Sequence, residues 1–351
     1  MSTTIEELTL EDIDYELPSE RIAQVPLEPR DASLLLEVMG DGQLIDARFA
    51  DLPELLQPGD LLVANETRVR QARLAARLSN GGNAEVLVLA PHGDAAFQCL
   101  VRPGRRLPEG TRLSIADDLV AVIGAPGPGH PGARIVRFES DGDIVAAIER
   151  HGAPPLPPYI TTRLADAQRY QTTYATGSPD SAAAPTAGLH FTDAVRTRLA
   201  DRGVSWTTLR LQVGLGTFAP IRASDVREHS MHEETFELPE STAEMVNRTR
   251  ASGGRVVAVG TTSVRVLESC ADERGIVVPR SGATRLYITP GYRFRAIDGM
   301  LTNFHQPRSS LVVMVAALMG FDTWRRAYDH ALAGDYRFLS FGDCMLAWAA
   351  S

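Results

Sequence analysis

The sequence predicts an α/β protein into which a small all-β barrel domain is inserted. Apolar strand-like runs alternate with helix-like runs in the second half of the chain, as is typical of an α/β domain. Most of the region between residues 72 and 150 consists of short strand-like runs, separated by turn signals such as Asn80-Gly81-Gly82. A stiff proline-rich connector, 151–160, follows. We therefore expect a discontinuous α/β domain at 1–71 and 151–351 and a β-barrel at 72–150.

A barrel is predicted in the inserted region because six short runs occur there at intervals of 10 to 15 residues. Several alternate apolar and polar residues, which indicates strands with one buried face. Such even spacing is typical of a small barrel or sandwich. The runs are RLAARL, AEVLVLA, FQCLV, TRLSI, LVAVIG and ARIVRFE.

The flanking regions show longer elements. A buried strand is expected in 59–69, and an amphipathic helix in 141–152 stops at Gly152. The apolar stretch 311–321 is too short to span a membrane and predicts a buried helix. In the second half of the chain before it, helices and strands alternate. The alternating segments are helix 192–203, strand 206–213, helix 241–254, strand 255–260 and helix 262–275.

Composition narrows the class of protein. The 351 residues allow about two domains, and 44% hydrophobic with 23% charged residues is ordinary for a globular protein. Three scattered cysteines argue against a disulfide framework and a cysteine zinc site. The acidic N-terminus lacks the pattern of a secretory signal. We expect a cytoplasmic protein with no membrane association.

The net charge of −9 makes the chain a poor general binder of nucleic acid. No lysine occurs, so arginine supplies all 35 basic residues. Local basic patches still arise, and Arg102, Arg105 and Arg106 form one in the predicted barrel. Such a patch is either a solvated face or an RNA contact.

Five polar strings rich in glycine predict a composite small-molecule site, and therefore an enzyme. Gly, Thr, Ser, His and Asn are concentrated in them without the periodicity of a core. Residues of these types approach ligands closely and hydrogen-bond them. The strings are AAPTAGLHF (183–191), VGLGTF (213–218), HSMHEE (229–234), VGTTSVR (259–265) and DGMLTNFH (298–305).

The string VGTTSVR has the clearest physical logic. A strand ends at Gly260, and a helix then begins with three hydroxyl residues, Thr261, Thr262 and Ser263. The N–H groups and dipole of a helix start bind carboxylates and phosphates. Arg265 lies in the first turn, where a cation is unfavourable, so it pairs with either a ligand or a structural carboxylate.

The histidines do not form a metal pattern. The order in His229-x-x-His232-Glu233 matches neither H-E-x-x-H nor H-x-x-E-H, so we expect no metal. Hydrogen bonding, acid/base chemistry or a structural role remains open for these residues. His190 is either a satisfied, half-buried group or part of a ligand cradle. No nucleophile elbow or P-loop occurs.

Eleven specific motifs follow one another along nearly the whole chain. They are DYELPSERIAQVPLEPRDASLLL, LLQPGDLLVANETRVRQARL, LVRPGRRLPEG, HGAPPLPPYI, RYQTTYA, AAPTAGLHFT, VGLGTFAPIR, MHEE, VGTTSVRVLES, YITPGYRFRAIDGMLTNFH and YRFLSFGDCML. Together and in this order, they resemble the motifs of the S-adenosylmethionine:tRNA ribosyltransferase-isomerases of queuosine biosynthesis.

The resemblance implies an activity. The family transfers and isomerises the ribosyl unit of S-adenosylmethionine onto 7-aminomethyl-7-deazaguanine at the tRNA wobble position. The products are epoxyqueuosine-tRNA, adenine and methionine. It also implies an α/β domain with an inserted barrel, S-adenosylmethionine as co-substrate and no metal or redox cofactor. The expected partner is the anticodon arm of tRNA, with no obligate protein partner.

The family's chemistry suggests roles for the polar strings. Candidate catalytic residues are His190, His232 and Glu233 as the base at the ribose 5′ carbon, and Asp298, with His305, as donor to the departing adenine. Candidate RNA-binding residues are Arg102, Arg105 and Arg106. Candidate substrate-binding residues are Thr186, Gly188, Gly214, Gly216, Thr217, Thr261, Thr262, Ser263, Arg265, Asn303 and His305.

Four positions depart from the family pattern, which has Arg at Leu34, Asp at Glu66, His at Gln212 and Leu at Gln306. Gln212 removes a titratable group beside the glycine turn, and Leu34 removes a possible phosphate contact. The loop before Ala183 is also about three residues longer than usual. Two alternatives therefore stay open: a divergent homologue that uses another acceptor, such as a free deazapurine, and a non-catalytic RNA-binding protein.

Overall fold

The computed structural model describes residues 8–104, 107–128, 132–214, 221 and 225–350. Contacts divide the chain into two compact units. The first comprises Met1–Arg68 and Pro157–Ser351, and the second is Val69–Leu156. The barrel limits expected from the sequence, 72–150, fall inside the second unit.

Strands and helices of the described residues are numbered in chain order. The strands are Leu34–Val38 (β1), Leu44–Arg48 (β2), Leu61–Asn65 (β3), Arg68–Val69 (β4), Arg73–Leu78 (β5), Asn83–Pro91 (β6), Ala96–Arg102 (β7), Arg112–Ala116 (β8), Leu119–Pro126 (β9), Ala133–Ser140 (β10), Pro179–Ser181 (β11), Ser205–Leu211 (β12), Glu234–Leu238 (β13), Val256–Val259 (β14), Arg280–Thr284 (β15), Gly299–Asn303 (β16) and Cys344–Trp348 (β17). The helices are Leu52–Leu55 (α1), Ile144–His151 (α2), Asp193–Asp201 (α3), Glu240–Ala251 (α4), Thr261–Cys270 (α5), Ser310–Met319 (α6) and Phe321–Ala333 (α7).

The second unit is a closed antiparallel barrel with the strand order β10-β7-β6-β5-β8-β9. Its six strands coincide with the six runs read from the sequence. Alternate side chains point inward, so that Leu74, Val86, Cys99 and Leu113 are completely buried. Helix α2 follows β10, and the Asp143 carboxylate caps it by accepting a hydrogen bond from the Ala146 amide at 2.7 Å.

The first unit is built on a nine-stranded sheet in the order β15-β13-β12-β3-β14-β16-β17-β1-β2. Strands β12, β3, β14 and β16 are parallel to one another. Strand β17 runs antiparallel to β16, and the outer strands β13, β15 and β2 are antiparallel to their inner neighbours. The expected fold, an α/β domain carrying an all-β barrel, is confirmed.

Both faces of this sheet are covered, which explains why its central strands read as continuous apolar runs. Along β14, Val256 and Ala258 enter one hydrophobic cluster while Val257 and Val259 enter the other. Helices α4 to α7 contribute to the first cluster, and α1 and α3 contribute to the second. The sheet is therefore a rigid platform whose strand ends can hold a site.

The apolar stretch 311–321 falls mainly in α6, which is buried as predicted. Gly320 separates α6 from α7 and adopts φ of 84°, a left-handed conformation that favours glycine. None of the helices in the described part of the chain is long and apolar enough to cross a membrane.

Candidate functional site

Three of the five polar strings reach the carboxyl end of a parallel strand of the large sheet: VGLGTF and VGTTSVR begin there, whereas DGMLTNFH spans β16 and extends past its end. Strands β12, β14 and β16 end at Leu211, Val259 and Asn303. Because these strands are parallel, their carboxyl ends meet at one edge of the sheet, which is where α/β proteins bind ligands. The residues that follow the strands therefore lie together.

An open cleft, here called the main cleft, occupies this edge. It combines the strings AAPTAGLHF, VGTTSVR and DGMLTNFH with one residue of VGLGTF. Its lining residues are Tyr159, Ala183, Ala184, Pro185, Thr186, Ala187, Val213, Gly260, Thr261, Thr262, Thr302, Asn303, Phe304, His305, Gln306, Pro307, Ser309, Leu311, Leu339 and Ser340.

A smaller side pocket adjoins the main cleft, because Thr261, Thr262 and Leu311 line both. Much of its remaining wall is apolar, with Arg265 and Glu234 at the base. The other lining residues are Met231, Leu286, Tyr287, Ile288, Ser310 and Met314. The two cavities share the start of α5. The main cleft adds the polar side chains of Thr186, Asn303 and His305, and the side pocket adds mainly apolar ones.

The start of α5 is arranged as an anion site. Gly260 caps the helix at φ of 85°, a conformation that favours glycine. Its carbonyl accepts hydrogen bonds from the amides of Ser263 and Val264. Within the described residues, the amides of Thr261 and Thr262 have no backbone acceptor outside the helix. The Thr262 hydroxyl is buried and has no partner there either. Donors therefore face both cavities.

Two neighbours in this string do not fit the roles expected of them. The Ser263 side chain is completely buried, and its hydroxyl donates a hydrogen bond to the Val259 carbonyl at 2.8 Å. It points back to the end of β14 and not to a ligand. Arg265 forms a buried ion pair with Glu234 and also donates to the Leu286 carbonyl at 3.1 Å. The structural alternative for Arg265 is the one that the geometry shows.

Glu234 is a residue whose importance sequence reasoning missed. Its second carboxylate oxygen accepts a hydrogen bond from the Gly214 amide at 3.1 Å. Glu234 thus connects Arg265 to the end of the segment that leaves β12. The strand alternation of ETFEL could have revealed it, since Glu234, Phe236 and Leu238 are buried and the residues between them are exposed.

His190 lies behind the wall of the main cleft and not within it. Its Nδ1 is 2.8 Å from the Ser33 hydroxyl, and its Nε2 is 3.2 Å from the Asn303 amide nitrogen. The Phe49 ring stacks on the imidazole at 5.2 Å. Burial lowers the pKa of His190 to about 3, and the nearby arginines contribute. A neutral ring with both nitrogens engaged is poorly placed to take a proton from a substrate.

The same histidine fixes the Asn303 amide. Asn303 Oδ1 accepts a hydrogen bond from the Thr186 hydroxyl at 2.8 Å. With this orientation, the amide nitrogen donates to Nε2 of His190, whose Nδ1 then carries its proton toward Ser33. The chain Ser33–His190–Asn303–Thr186 therefore presents Asn303 and Thr186 to the main cleft in one defined arrangement.

His305 lines the main cleft and is also neutral. Its Nε2 is 2.8 Å from the Thr302 hydroxyl, and its backbone amide donates to the Tyr328 hydroxyl at 3.0 Å. Burial lowers the pKa of its imidazole to about 3. This ring can exchange hydrogen bonds with a bound nucleoside, but it carries no positive charge near neutral pH.

His232 and Glu233 lie on the protein surface. Both are exposed, and neither lines the main cleft or the side pocket. Glu233 forms an ion pair with Arg285 at 3.2 Å, with half or more of each side chain exposed. The structure does not bring His232 and Glu233 to the site. The chain becomes buried only at Glu234, the first residue of β13.

Asp298 lies at the opposite edge of the sheet. Its carboxylate accepts a hydrogen bond from the Val256 amide at 2.7 Å and so links the starts of β14 and β16. Five strand residues at about 3.3 Å each separate it from the carboxyl end of β16. We therefore withdraw Asp298 as a donor to the leaving group.

The glycines that were predicted to contact the substrate differ in their surroundings. Gly188 was expected to let the backbone approach a nucleoside, but a Cβ at this position would collide with the Tyr174 hydroxyl. Internal packing therefore explains this glycine. Gly214 is held by Glu234, whereas Gly216 and Thr217 lie outside the described residues.

The arginine patch of the barrel is described only in part. Arg102 ends β7 and is exposed, while Arg105 and Arg106 lie outside the described residues. In the described part of the chain, no group of three His, Cys, Asp or Glu side chains is arranged to hold a metal ion.

The departures from the family pattern are accommodated by local bonds. Glu66 accepts hydrogen bonds from the Thr208 hydroxyl at 2.8 Å and from Arg210 at 3.0 Å. The Gln212 amide donates to Asp180 at 2.8 Å and accepts from the Thr235 hydroxyl at 2.7 Å. Both residues hold backbone segments near the carboxyl edge. Leu34 begins β1, and Gln306 lines the main cleft.

The fold and the cleft together define an α/β enzyme that carries an inserted antiparallel barrel. Comparison with known proteins identifies the family. A family model described as "Queuosine biosynthesis protein" matches residues 10–347. The chain belongs to this queuosine biosynthesis family, as the resemblance implied.

The relatives agree closely with one another. An S-adenosylmethionine:tRNA ribosyltransferase-isomerase from Gloeobacter violaceus is 48% identical over 95% of this chain and 94% of its own length. The enzyme of the same name from Azoarcus sp. is 49% identical over 97% of both chains. The crystal structure of S-adenosylmethionine tRNA ribosyltransferase from Thermotoga maritima has a TM-score of 0.55 and 35% identity, over 96% of this chain and 99% of that one.

Proposed function

We propose that this protein transfers and isomerises the ribosyl moiety of S-adenosylmethionine onto 7-aminomethyl-7-deazaguanine in the wobble position of tRNA. The products are epoxyqueuosine-tRNA, adenine and methionine. Family membership supports the reaction, and the start of α5 supports the use of S-adenosylmethionine. Among the described residues the Thr262 hydroxyl has no partner, and Thr262 lines both the main cleft, which contains several polar side chains, and the largely apolar side pocket.

The two cavities match the two halves of S-adenosylmethionine. We assign the methionine carboxylate to the Thr261 and Thr262 amides and the Thr262 hydroxyl. The apolar side chains of Met231, Leu286 and Met314 suit the methionine chain and its sulfur. The ribose and adenine then occupy the main cleft. Arg265 supports this arrangement only indirectly, through its ion pair with Glu234.

The reacting nucleoside meets a fixed set of neutral polar groups. The positive sulfonium acidifies the hydrogens of the ribose 5′ carbon, and the departing adenine needs hydrogen-bond donors. We assign Asn303 and Thr186 to hydroxyl or base-edge contacts, since His190 fixes their orientation. His305 is assigned the hydrogen bond to adenine, because its ring lines the cleft and is neutral.

The RNA partner is proposed to be the anticodon arm of tRNA. An acidic protein needs local positive charge to hold a polyanion. Arg102 is exposed, and Arg105 and Arg106 follow it closely in the sequence, so these three arginines remain the proposed RNA contact.

The direct test is release of adenine and methionine from S-adenosylmethionine, followed by chromatography, with and without tRNA that carries 7-aminomethyl-7-deazaguanine. We expect release only with the modified tRNA, together with a matching gain in RNA mass. Release with a free deazapurine instead would favour a divergent homologue. Binding of RNA without release in any mixture would favour a non-catalytic role.

A further inference from the structure

A second cavity, here called the arginine pocket, brings together three motifs to which the reaction assigns no role. Arg30 comes from EPRDASLLL, Arg169 begins RYQTTYA, and Arg337 lies in YRFLSFGDCML. Their side chains line one small cavity together with His190 and Ser340. No aspartate or glutamate is among the described residues that line it. The three guanidinium groups therefore face a shared space without a carboxylate in its wall.

Backbone carbonyls hold much of this cluster in place. Arg30 donates to the carbonyls of Gln171 at 2.8 Å and Gln168 at 3.0 Å. Arg337 donates to the Val25 carbonyl at 3.4 Å. Carbonyl oxygens orient a guanidinium but do not neutralise its charge. Burial and the charge of Arg169 both lower the pKa of Arg30, and the charges of Glu28 and Asp166 oppose this only in part.

The nearby carboxylates compensate only in part. Arg169 pairs with Glu28, whose side chain is 78% exposed. Asp343 is 3.8 Å from Arg337, and its oxygens already accept hydrogen bonds from the Leu34 and Arg337 amides. Arg169 Nε is buried and has no partner among the described residues. Within the described residues, the pocket wall thus holds three guanidinium groups and no carboxylate, and one of the guanidinium groups has a spare donor.

The arginine pocket is a neighbour of the main cleft. Ser340 lines both cavities, and His190 lines the arginine pocket while its Nε2 contacts Asn303 of the main cleft. An anion held by the arginines would lie one side chain away from the nucleoside in the cleft. In RNA, a backbone phosphate is likewise separated from each base by about the length of one side chain.

We infer that the arginine pocket binds a backbone phosphate of the RNA substrate next to the nucleotide that enters the main cleft. The inference rests on the proposed function for the identity of that RNA. Forked guanidinium groups match phosphate oxygens in geometry and charge. The pocket would place the RNA strand so that its modified base faces the bound S-adenosylmethionine.

The test compares Arg169→Gln and Arg337→Gln with Arg198→Gln as a matched control. Arg198 resembles Arg169, since it donates to one carboxylate, Glu54, and one carbonyl, Ala50, but it lines neither cavity. Binding of tRNA carrying 7-aminomethyl-7-deazaguanine is measured by fluorescence anisotropy over a series of salt concentrations. Calorimetry gives the affinity for S-adenosylmethionine.

We expect each pocket variant to bind this tRNA roughly tenfold more weakly. The slope of log affinity against log salt should fall by about 0.7 to 1, as for one lost phosphate contact. Affinity for S-adenosylmethionine should stay at the parental value, and Arg198→Gln should match the parent throughout. If Arg169→Gln does not fold, Arg337→Gln alone provides the test. Arg337 makes longer contacts, at 3.4 and 3.8 Å, so its replacement should disturb the fold less.

Parental slopes in both pocket variants, or equal losses in Arg198→Gln, would overturn the inference. A melting-temperature titration with inorganic phosphate separates the two sources of the anion. If phosphate stabilised the parent but not Arg169→Gln, and tRNA binding were unchanged, the pocket would hold free phosphate and not RNA. Failure of the proposed function would appear separately, as parental protein that binds tRNA but releases no adenine.

Discussion

The surface pair His232–Glu233 and the main cleft contain the same kinds of side chain, but the fold uses them in opposite ways. In the surface pair, His232 is exposed and Glu233 shares an exposed ion pair. At the cleft, His190 and His305 are buried, and burial lowers the pKa of each to about 3. Residue type alone therefore does not locate the chemistry. Position at the carboxyl edge of the sheet does.

The adjacent carboxylates Glu233 and Glu234 give the sharpest form of this comparison. Glu234→Gln would leave Arg265 as an unpaired buried cation, so we expect a loss of about 3–5 kcal/mol in the free energy of unfolding. Glu233→Gln removes an exposed pair and should cost at most about 0.5 kcal/mol. Urea unfolding measures both. Equal effects would show that the buried pair contributes no more than the exposed one.

The two histidines provide the next comparison. His190→Ala removes a buried ring and the partner of Asn303, and we expect a loss of about 2–3 kcal/mol in stability with at least a roughly tenfold slower release of adenine. His232→Ala should change stability by less than about 0.5 kcal/mol and leave the rate near the parental value. Parental stability and rate in His190→Ala, or loss of adenine release in His232→Ala, would instead place the chemistry at the surface pair.

Stability should fall as the pH drops below about 6.5. A histidine with a pKa of about 3 in the folded protein stays neutral there, while the unfolded chain, with a pKa near 6.5, takes up a proton. The unfolded state then binds more protons, so acid favours it. Each of His190 and His305 should cost about 2 kcal/mol at pH 5 relative to neutral pH.

Urea unfolding of the parent and of His305→Asn, at pH 7.5 and pH 5, measures this effect. The difference between the two proteins isolates His305 from the carboxyl groups that also titrate. We expect the variant to lose less stability than the parent on acidification. An equal decline in both proteins would mean that the His305 imidazole takes up a proton as readily in the folded protein as in the unfolded chain.

The smallest expected effect distinguishes two adjacent hydroxyls. Thr262→Val removes a buried hydroxyl that has no partner among the described residues, so stability should hold while affinity for S-adenosylmethionine falls about tenfold. Ser263→Ala removes a bonded hydroxyl, so it should lower stability by about 1 kcal/mol and leave affinity unchanged. Calorimetry measures the affinity and urea unfolding the stability. If Thr262→Val kept its affinity while Ser263→Ala lost it, the assignment would be wrong.

The regular parts of the fold could be predicted because they follow local patterns. Alternation and turn residues located the six barrel strands, and alternating strands and helices located the parallel sheet. Three of the polar strings also located most of the cleft. VGTTSVR and DGMLTNFH did so because they reach the carboxyl ends of β14 and β16.

The errors concern partners that are distant in sequence. Nothing near Arg265 in the chain shows that Glu234 neutralises it, and nothing near Gly188 shows that Tyr174 fills the space of its missing side chain. Asp298 and His305 belong to one string, but a strand separates them, so that the first lies at the wrong edge of the sheet. Pairing across the tertiary fold decided each of these cases.

The central claim is that S-adenosylmethionine binds at the start of α5, at the carboxyl edge of the sheet. Hydrogen–deuterium exchange with and without S-adenosylmethionine tests it most directly, since the amides of Thr261 and Thr262 have no backbone acceptor outside the helix among the described residues. We predict slower exchange in peptides that contain residues 260–265 and 302–306, with no change in 239–251 of α4. Slower exchange confined to 229–233, with 260–265 unaffected, would contradict the account.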